Sequence, residues 1–386
     1  MERRVKLSRY SRAGSAVVIG ALALTLAACS SGSDSNDSGG ADQTDGATEG
    51  AADLESLSGE LAGAGASSQE KAVAGWIAGF GDIAPGVTVT YDPTGSGGGR
   101  EQFLAGATQF AGSDAALDEE ELASATERCF GGEAIEVPLY ISPIAVVYNL
   151  PDLDADNIQL SAENIAKIFD GQITTWDDPA IQAENEGVEL PAIDIIPVHR
   201  SDESGTTENF TEYLAAASNG AWTHEPSGDW PTSGGQSGAQ TQGLIDTVSG
   251  AEGAIGYADA SRAGDLGTVA IKVGEEYVPY SPEAAAAVVD ASPRAADATD
   301  NRLVIELDRS TTAAGAYPLV LVSYSIACSV YDDQADADNV KAYLSYVASE
   351  EGQARAAEPS VAGSAPISDE LRAEVLAALD GITVQG

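Results

Sequence analysis

The sequence has few basic residues, few histidines and few cysteines, and each shortage excludes a class of function. Lys and Arg number 18 among 386 residues, against 61 Asp and Glu, which gives a formal net charge of -43. Such a chain repels nucleic acid and anionic membrane surfaces, so neither is an expected binding partner. The two histidines, His199 and His224, show no recognisable ligand spacing, so we expect no metal site.

The length of the chain and its 43% hydrophobic content are sufficient for two domains with a buried core. We interpret the many acids as a solvated surface. The body from Ser58 onward alternates β-rich runs with helical patterns, which predicts an α/β fold with a mostly parallel sheet. Strands are predicted at 87–91, 135–137, 144–148, 193–198 and 320–324, and helices at 69–80, 99–105, 161–169, 208–217, 239–248, 335–348 and 368–379.

The N-terminal residues have the pattern of an exported lipoprotein. Basic residues between Arg3 and Arg12 precede an uncharged run, residues 13–28, that is too short and too rich in Ala and Gly for a spanning helix. The run leads into Leu26-Ala27-Ala28-Cys29, which resembles the lipobox of bacterial lipoproteins. We therefore predict a signal peptide over residues 1–28 and lipidation of Cys29. A plain signal peptide with an incidental cysteine is the alternative.

A polar segment follows the predicted lipidation site. Residues 30–53 contain no Lys, Arg, aromatic or branched aliphatic residue, so they cannot bury enough apolar surface to fold. We predict a disordered linker over residues 29–58 that holds the body off a membrane. Cys129 and Cys328 remain as an even pair, and a disulfide is the natural expectation for an exported chain.

Three junctions between a predicted strand and a predicted helix combine glycine with hydroxyl side chains: residues 63–68, 94–99 and 204–207. The first N–H groups of a helix lack internal partners and carry the positive end of the helix dipole, so they bind anions without a basic side chain. One such loop is weak evidence, because hydroxyl residues cap many helices. Three loops beside Arg200 predict an anion site.

Two aspartates bear on which anion this site binds. Asp202 is placed to hold the Arg200 guanidinium as a fork for an oxyanion. Asp114 follows a short apolar step and is expected at a strand end, although it fits an ordinary turn acid equally well. An ionised carboxylate repels an anion unless the anion donates a proton. Hydrogen phosphate has such a proton and sulfate at neutral pH does not, so a carboxylate in the site favours phosphate.

Six segments occur in an order that resembles the phosphate-binding lipoproteins of bacterial high-affinity phosphate ABC importers. They are residues 61–67, 94–98, 110–117, 167–181, 199–207 and 253–257, and they cover most of residues 59–386. Residues 137–149 further resemble the actinobacterial version. The family often has Thr-Phe-Pro where this chain has Ser67-Ser68-Gln69, a change that a backbone donor at Ser68 could survive.

The resemblance implies a two-lobed type II solute-binding protein with a hinge and a ligand cleft between α/β lobes. Lobe I would comprise residues 59–142 and 319–386, and lobe II residues 143–318, with hinge crossings near Ser142 and Pro318. It also implies that Cys129 and Cys328 each lie close to a crossing, within reach of each other. The implied phosphate-binding residues are Ser67, Ser68, Ser96 and Asp114 on lobe I, and Arg200, Asp202, Ser204, Gly205 and Thr206 on lobe II.

The function that the resemblance implies is binding of inorganic phosphate and its delivery to the membrane permease of an ABC importer. The protein would be a lipid-anchored monomer on the extracytoplasmic face of the cell membrane, with no cofactor and no catalytic activity. The alternatives are a binding protein for another tetrahedral oxyanion and a phosphate-ester hydrolase. The sequence disfavours a hydrolase, because it has no Gly-x-Ser-x-Gly elbow and no metal ligands, and residues 94–100 lack the Gly-Lys-Ser/Thr of a P-loop.

Overall fold

The computed structural model describes residues 54–386, which form a mixed α/β fold. The predicted signal peptide, Cys29 and the linker up to residue 53 lie outside the described residues. The strands are β1 (Gly59–Gly65), β2 (Val87–Asp92), β3 (Phe110–Ser113), β4 (Ala134–Tyr148), β5 (Asn157–Leu160), β6 (Ile196–Arg200), β7 (Gln236–Gly238), β8 (Ala254–Asp259), β9 (Gly267–Val273), β10 (Glu276–Val278), β11 (Val320–Cys328), β12 (Val330–Tyr331) and β13 (Thr383–Val384).

The α-helices connect these strands and cover the sheet. They are α1 (Glu70–Ile83), α2 (Ser96–Leu104), α3 (Glu119–Arg128), α4 (Ala162–Phe169), α5 (Pro179–Glu184), α6 (Gly205–Ala217), α7 (Gln240–Ser249), α8 (Pro282–Ala291), α9 (Gln334–Ala348), α10 (Glu350–Ala357) and α11 (Asp369–Asp380). Among residues 54–386, no helix is both long and apolar enough to cross a bilayer.

The end of the predicted linker belongs to the folded body. Residues 54–56 form a short 3-10 helix, and Leu54 and Leu57 pack against the core. Asn339 Nδ2 donates a hydrogen bond to the carbonyl of Ser58 at 3.1 Å. The prediction of disorder up to residue 58 is therefore wrong for these last residues, because two leucines give the segment apolar surface to bury.

A curled sheet runs through both halves of the molecule in the order β2-β1-β3-β11-β4-β8-β6-β7, and β9 joins β5 and β10 to β4. On one side β1 pairs in parallel with β2 and β3, and on the other β6 pairs in parallel with β7 and β8. Because the carboxyl ends of parallel strands share an edge, the loops that follow β1, β2 and β6 are brought toward the middle of the molecule.

Strand β4 joins the two halves. From Ala134 to Pro143 it pairs with β11, and from Ile144 to Tyr148 it pairs with β8. The sequence predicts two strands here, at 135–137 and 144–148, and the structure has one strand with every residue buried. A register shift between Ser323 and Tyr324 interrupts the ladder opposite Pro138 and Tyr140, where a proline lacks the N–H that a regular ladder needs.

The segment before β11 lies against the β11-paired half of β4. The amide of Glu136 donates to Asn301 O at 2.8 Å, and the amide of Leu303 donates to Glu136 O at 2.9 Å. The Arg302 guanidinium is paired with the carboxylate of Glu136, which is fully buried. Residues 301–303, which fall within the range predicted for lobe II, therefore contact a strand of the range predicted for lobe I.

A disulfide joins Cys129, which follows α3, to Cys328 at the end of β11, with the Cα atoms 5.1 Å apart. The predicted pairing is confirmed. The predicted position near the hinge crossings is wrong, because Cys328 lies opposite Ala134, whereas Val320 at the other end of β11 lies opposite Pro143. At about 3.3 Å per strand residue, those two ends of β11 are roughly 26 Å apart.

Candidate functional site

The three predicted glycine and hydroxyl junctions each lead into a helix, α1, α2 and α6. The N-cap residues of α1 and α2 are Gln69 and Gly95, and neither helix has a side-chain cap hydrogen bond. In α6 the Ser204 hydroxyl accepts a hydrogen bond from the Thr207 amide at 3.3 Å, so Ser204 is an N-cap. The first amides of all three helices remain oriented donors, which is the chemistry of an anion site.

Asp114 directly follows β3 and is 4% exposed. The Ser68 hydroxyl donates to both of its carboxylate oxygens at 2.8 Å, and the Thr206 hydroxyl donates to Oδ2 at 3.0 Å. The Asp114 amide donates to Ser96 Oγ at 3.2 Å. Three other predicted site residues thus hydrogen-bond to Asp114: Ser68 and Thr206 through its carboxylate, and Ser96 through its amide.

Burial raises the pKa of Asp114 above its ordinary value, and the Ser68 hydroxyl is the strongest of several influences that partly offset this rise. A carboxylate in this environment is a hydrogen-bond acceptor that holds a shared proton more readily than an exposed aspartate does. It therefore suits a ligand that brings a hydroxyl group, and it disfavours an anion without a proton.

Arg200 ends β6 and is 3% exposed. Its Nε and Nη2 atoms donate to Asp202 Oδ1 and Oδ2 at 2.8 and 2.5 Å. Burial alone raises the pKa of Asp202, but the bidentate pair with Arg200 outweighs burial, and the net pKa is below its usual range. Asp202 thus stays ionised and fixes the plane of the guanidinium.

Two glycines allow the elements of the site to approach each other. Gly95 has a φ of +98°, and a Cβ there would lie 2.9 Å from Asp202 Oδ2 and 3.5 Å from Arg200 Nη2. A Cβ on Gly205 would lie 2.6 Å from the Cβ of Asp114. The start of α2 therefore covers the Arg200 and Asp202 pair, and the start of α6 covers Asp114.

The sequence reasoning missed a fourth helix start, that of α7. The Thr241 amide donates to Ser67 Oγ at 3.0 Å, and the Gln240 amide donates to Asp202 Oδ1 at 2.9 Å. Ser67 thus faces α7, not the Asp114 carboxylate. The same signal could have found this junction, because Gln236-Ser237-Gly238 places glycine beside a hydroxyl residue before the predicted helix 239–248.

Tyr257 and Thr207 were also missed. Tyr257 is buried on β8, and its hydroxyl accepts from the Arg200 amide at 3.3 Å and contacts Thr207 Oγ1 at 2.8 Å. Burial raises the pKa of Tyr257 to about 12, so the phenol stays neutral and bonds as a hydroxyl. These contacts fix the backbone of Arg200 relative to α6.

Comparison with known proteins places this arrangement in a family. Residues 41–351 match the PBP superfamily domain. The chain is 35% identical to the phosphate-binding protein PstS 3 of Mycobacterium tuberculosis, over 98% of this chain and 100% of that protein. It is 32% identical to the phosphate-binding protein PstS of Xylella fastidiosa, over 78% and 80% of the two chains.

Solved structures share the fold. A phosphate-bound high affinity periplasmic phosphate-binding protein, PfluDING, matches with a TM-score of 0.66 at 22% identity, over 83% of this chain and 93% of that one. A phosphate binding protein from Stenotrophomonas maltophilia matches with a TM-score of 0.64 at 19% identity, over 83% and 94% of the two chains. Sequence and fold agree: this chain belongs to the PBP superfamily and, within it, to the PstS family of phosphate-binding proteins.

Proposed function

We propose that this chain binds inorganic phosphate outside the cytoplasmic membrane and delivers it to the permease of an ABC importer. The observation that carries the proposal is the buried Asp114 carboxylate, which lies among hydroxyl donors. A ligand that is an anion and also a proton donor suits this combination. The relatives named above are phosphate-binding proteins, which supports the same assignment.

The proposed ligand site uses all the residues that the sequence predicts, in different roles. Asp114 accepts the ligand hydroxyl, and Arg200, held by Asp202, donates to a ligand oxygen. The starts of α1, α2 and α6 supply backbone amides. The proposed phosphate-binding set is Ser67, Ser68, Ser96, Asp114, Arg200, Asp202, Ser204, Gly205 and Thr206. We propose Thr241 as a further member, because its amide donates to Ser67 Oγ.

The two halves of the site lie on opposite sides of the point where β4 exchanges β11 for β8. We propose that this point, at Pro143 and Ile144, is one hinge crossing and that Leu319 and Val320 form the other. A phosphate ion that contacts both Asp114 and Arg200 then stabilises the closed arrangement of the lobes by a shift in population. A binding protein of this kind acts as a monomer and catalyses no reaction.

The proposed location follows from the sequence. Lipidation of Cys29 and a linker that ends near residue 53 would tether the body to the extracytoplasmic face of the membrane, within reach of a permease. PfluDING, which shares the fold, is a periplasmic protein. Mass spectrometry of the membrane fraction tests this part: an acylated peptide that begins at Cys29 is expected, and an unmodified Cys29 in a secreted protein contradicts it.

Isothermal titration of the purified protein with phosphate and with sulfate tests the function. We expect at least a hundredfold preference for phosphate, a difference of about 2.7 kcal/mol. Comparable affinities for the two anions would reject the assignment and favour a general tetrahedral-oxyanion binder. Incubation with a phosphate ester should give no product. Hydrolysis of the ester would support the alternative that the protein is a phosphate-ester hydrolase.

A further inference from the structure

Behind the proposed site, a chain of buried hydrogen bonds runs from Asp114 to the start of β11. Asn209 lies on α6, one turn after Gly205, and is 5% exposed. Its Nδ2 atom donates to the backbone carbonyls of Asp114 and Gly205, each at 2.8 Å. This contact joins α6 to the backbone of Asp114, whose carboxylate is the proposed acceptor for the ligand hydroxyl.

Arg309 continues the chain of contacts. It is 6% exposed, and its Nη2 atom donates to Asn209 Oδ1 and, at 2.9 Å, to Glu212 Oε2. Its Nη1 atom donates to Pro318 O at 3.3 Å and to Val320 O at 2.5 Å. One guanidinium therefore binds α6, the residue before the proposed second crossing and Val320 of the crossing itself.

The chemistry of the two side chains fixes the direction of these bonds. A guanidinium has donors and no acceptor, so the Asn209 atom that faces Arg309 must be the carbonyl oxygen. The NH₂ group of Asn209 is thereby turned toward the carbonyl of Asp114. Burial of the arginine is costly unless it is paired, and its partners lie together only while α6 lies beside the start of β11.

We propose that Asn209 is a latch of the closed arrangement and that Arg309 is its positioning residue, which couples the backbone of Asp114 to the strand crossing at Val320. The proposal rests on the proposed function, since closure is what phosphate would stabilise. The latch contacts the backbone of Asp114 and leaves its carboxylate to the ligand. It therefore strengthens the binding of every anion that closes the lobes, by the same factor, and does not contribute to selectivity.

The test compares Asn209→Ala with wild type by titration of phosphate and sulfate and by small-angle X-ray scattering without ligand. One buried hydrogen bond to a neutral partner is worth roughly a factor of ten. We expect about tenfold weaker binding of both anions, an unchanged phosphate-to-sulfate ratio, and a larger radius of gyration without ligand.

The matched control is Asn164→Ala, because Asn164 is also buried and donates to a backbone carbonyl, that of Ala180 at 3.2 Å. It should lose stability and keep wild-type affinity.

A second pair of variants keeps the test decisive if Asn209→Ala does not fold. Arg309→Lys retains one donor for Val320 O and should weaken binding less than Arg309→Met does. If the wild-type protein binds phosphate and the variants at Asn209 and Arg309 bind it with the same affinity, the latch is rejected and the proposed function stands. A changed anion ratio would overturn the latch as well. Wild-type protein that binds no phosphate would overturn the proposed function and the latch with it.

Discussion

The Ser68 hydroxyl lies 2.8 Å from each oxygen of the Asp114 carboxylate. Both side chains are buried, so this hydroxyl is a donor that bulk water does not replace. A hydrogen bond to the ionised form lowers the pKa of a carboxyl group. Ser68 therefore opposes the effect of burial and favours the ionised, hydrogen-bond-accepting form of Asp114, which is the form that the proposed phosphate site needs.

We predict that Ser68→Ala raises the pKa of Asp114 further, since the variant loses the hydroxyl hydrogen bond that stabilises the ionised carboxylate. A protonated Asp114 no longer accepts the ligand proton. As the pH falls, phosphate affinity should therefore decrease at a higher pH in the variant than in wild type. Titration calorimetry from pH 5 to pH 9 measures this shift, and the protonation of phosphate itself affects both proteins equally.

The control for this measurement is Ser68→Thr, which retains a hydroxyl and should keep the acid limb near its wild-type position. If Ser68→Ala and wild type lose affinity at the same pH, Ser68 does not tune Asp114.

Removal of the Asp114 charge should reduce selectivity. In Asp114→Asn the side chain gains a donor, so it no longer penalises sulfate, and it loses the strong acceptor for the phosphate proton. We expect the phosphate-to-sulfate affinity ratio to fall at least tenfold relative to wild type. An unchanged ratio would show that another group distinguishes the anions. The latch variant Asn209→Ala is the useful contrast, because it should change both affinities and leave their ratio alone.

The parts of the fold that the sequence predicted are those with a local signal. The starts of α1, α2 and α6 follow glycine and hydroxyl residues, so a short window contains the information. Strand β1 was missed, because Gly59–Gly65 has no β-branched residue and forms a strand through its pairing with β2 and β3. The sequence predicted two separate strands between residues 135 and 148, because prolines interrupt the pattern. In the structure β4 continues past both prolines, since a bulge and the pairing with neighbouring strands accommodate them.

The site was predictable as a set of residues but not as a set of contacts. The contact of Ser67 with Thr241 spans 174 residues, and that of Arg309 with Asn209 spans 100. The first pair depends on how the two proposed lobes meet, and the second on how the segment before β11 packs against α6; no local pattern in the sequence records either contact. Ser68 shows the same limit, since its direction toward Asp114 follows from the parallel pairing of β1 with β3.

A buried acid near the proposed hinge crossing on β4 predicts that the stability of the folded protein depends on pH. Asp259 is fully buried, and the Tyr140 hydroxyl donates to its two oxygens at 3.0 and 3.1 Å. Burial raises its pKa to about 6 from an ordinary value of 3.8. The folded protein therefore binds a proton more tightly than the unfolded chain does. The stabilisation that this bound proton gives to the folded state is complete below about pH 4 and is lost as the pH rises through 6.

We expect the free energy of unfolding of wild type to fall between pH 4 and pH 7 by roughly 3 kcal/mol more than that of Asp259→Asn. The asparagine stays neutral and can still accept from Tyr140. Urea unfolding at several pH values measures the difference between the two proteins, which cancels the contributions of other acids. Parallel pH profiles would mean that Asp259 does not titrate in this range.

The disulfide should contribute to stability and not to ligand binding. It closes a long loop, since Cys129 and Cys328 are separated by 199 positions in the sequence, and it lies at the end of β11 far from the proposed crossing. Replacement of both cysteines by alanine should lower the free energy of unfolding by about 2–5 kcal/mol. Phosphate affinity at 25 °C should stay within about twofold of wild type, by titration calorimetry. A large loss of affinity in a folded variant would place the disulfide in the control of closure.

Gly205 offers the most direct test of closure. A Cβ at this position would lie 2.6 Å from Asp114 Cβ and 3.0 Å from the backbone carbonyl carbon of Asp114, and neither atom can move away by rotation of a side chain. Gly205→Ala should therefore hold α6 away from Asp114 in the closed form and leave the open form unaffected. We expect at least tenfold weaker phosphate binding and a smaller decrease in the radius of gyration on addition of phosphate.

The control is Gly81→Ala, because Gly81 lies on α1 with no atom within 4 Å of its Cβ position. Wild-type affinity in Gly205→Ala would mean that phosphate binding does not need the close approach of α6 to Asp114 that this structure has.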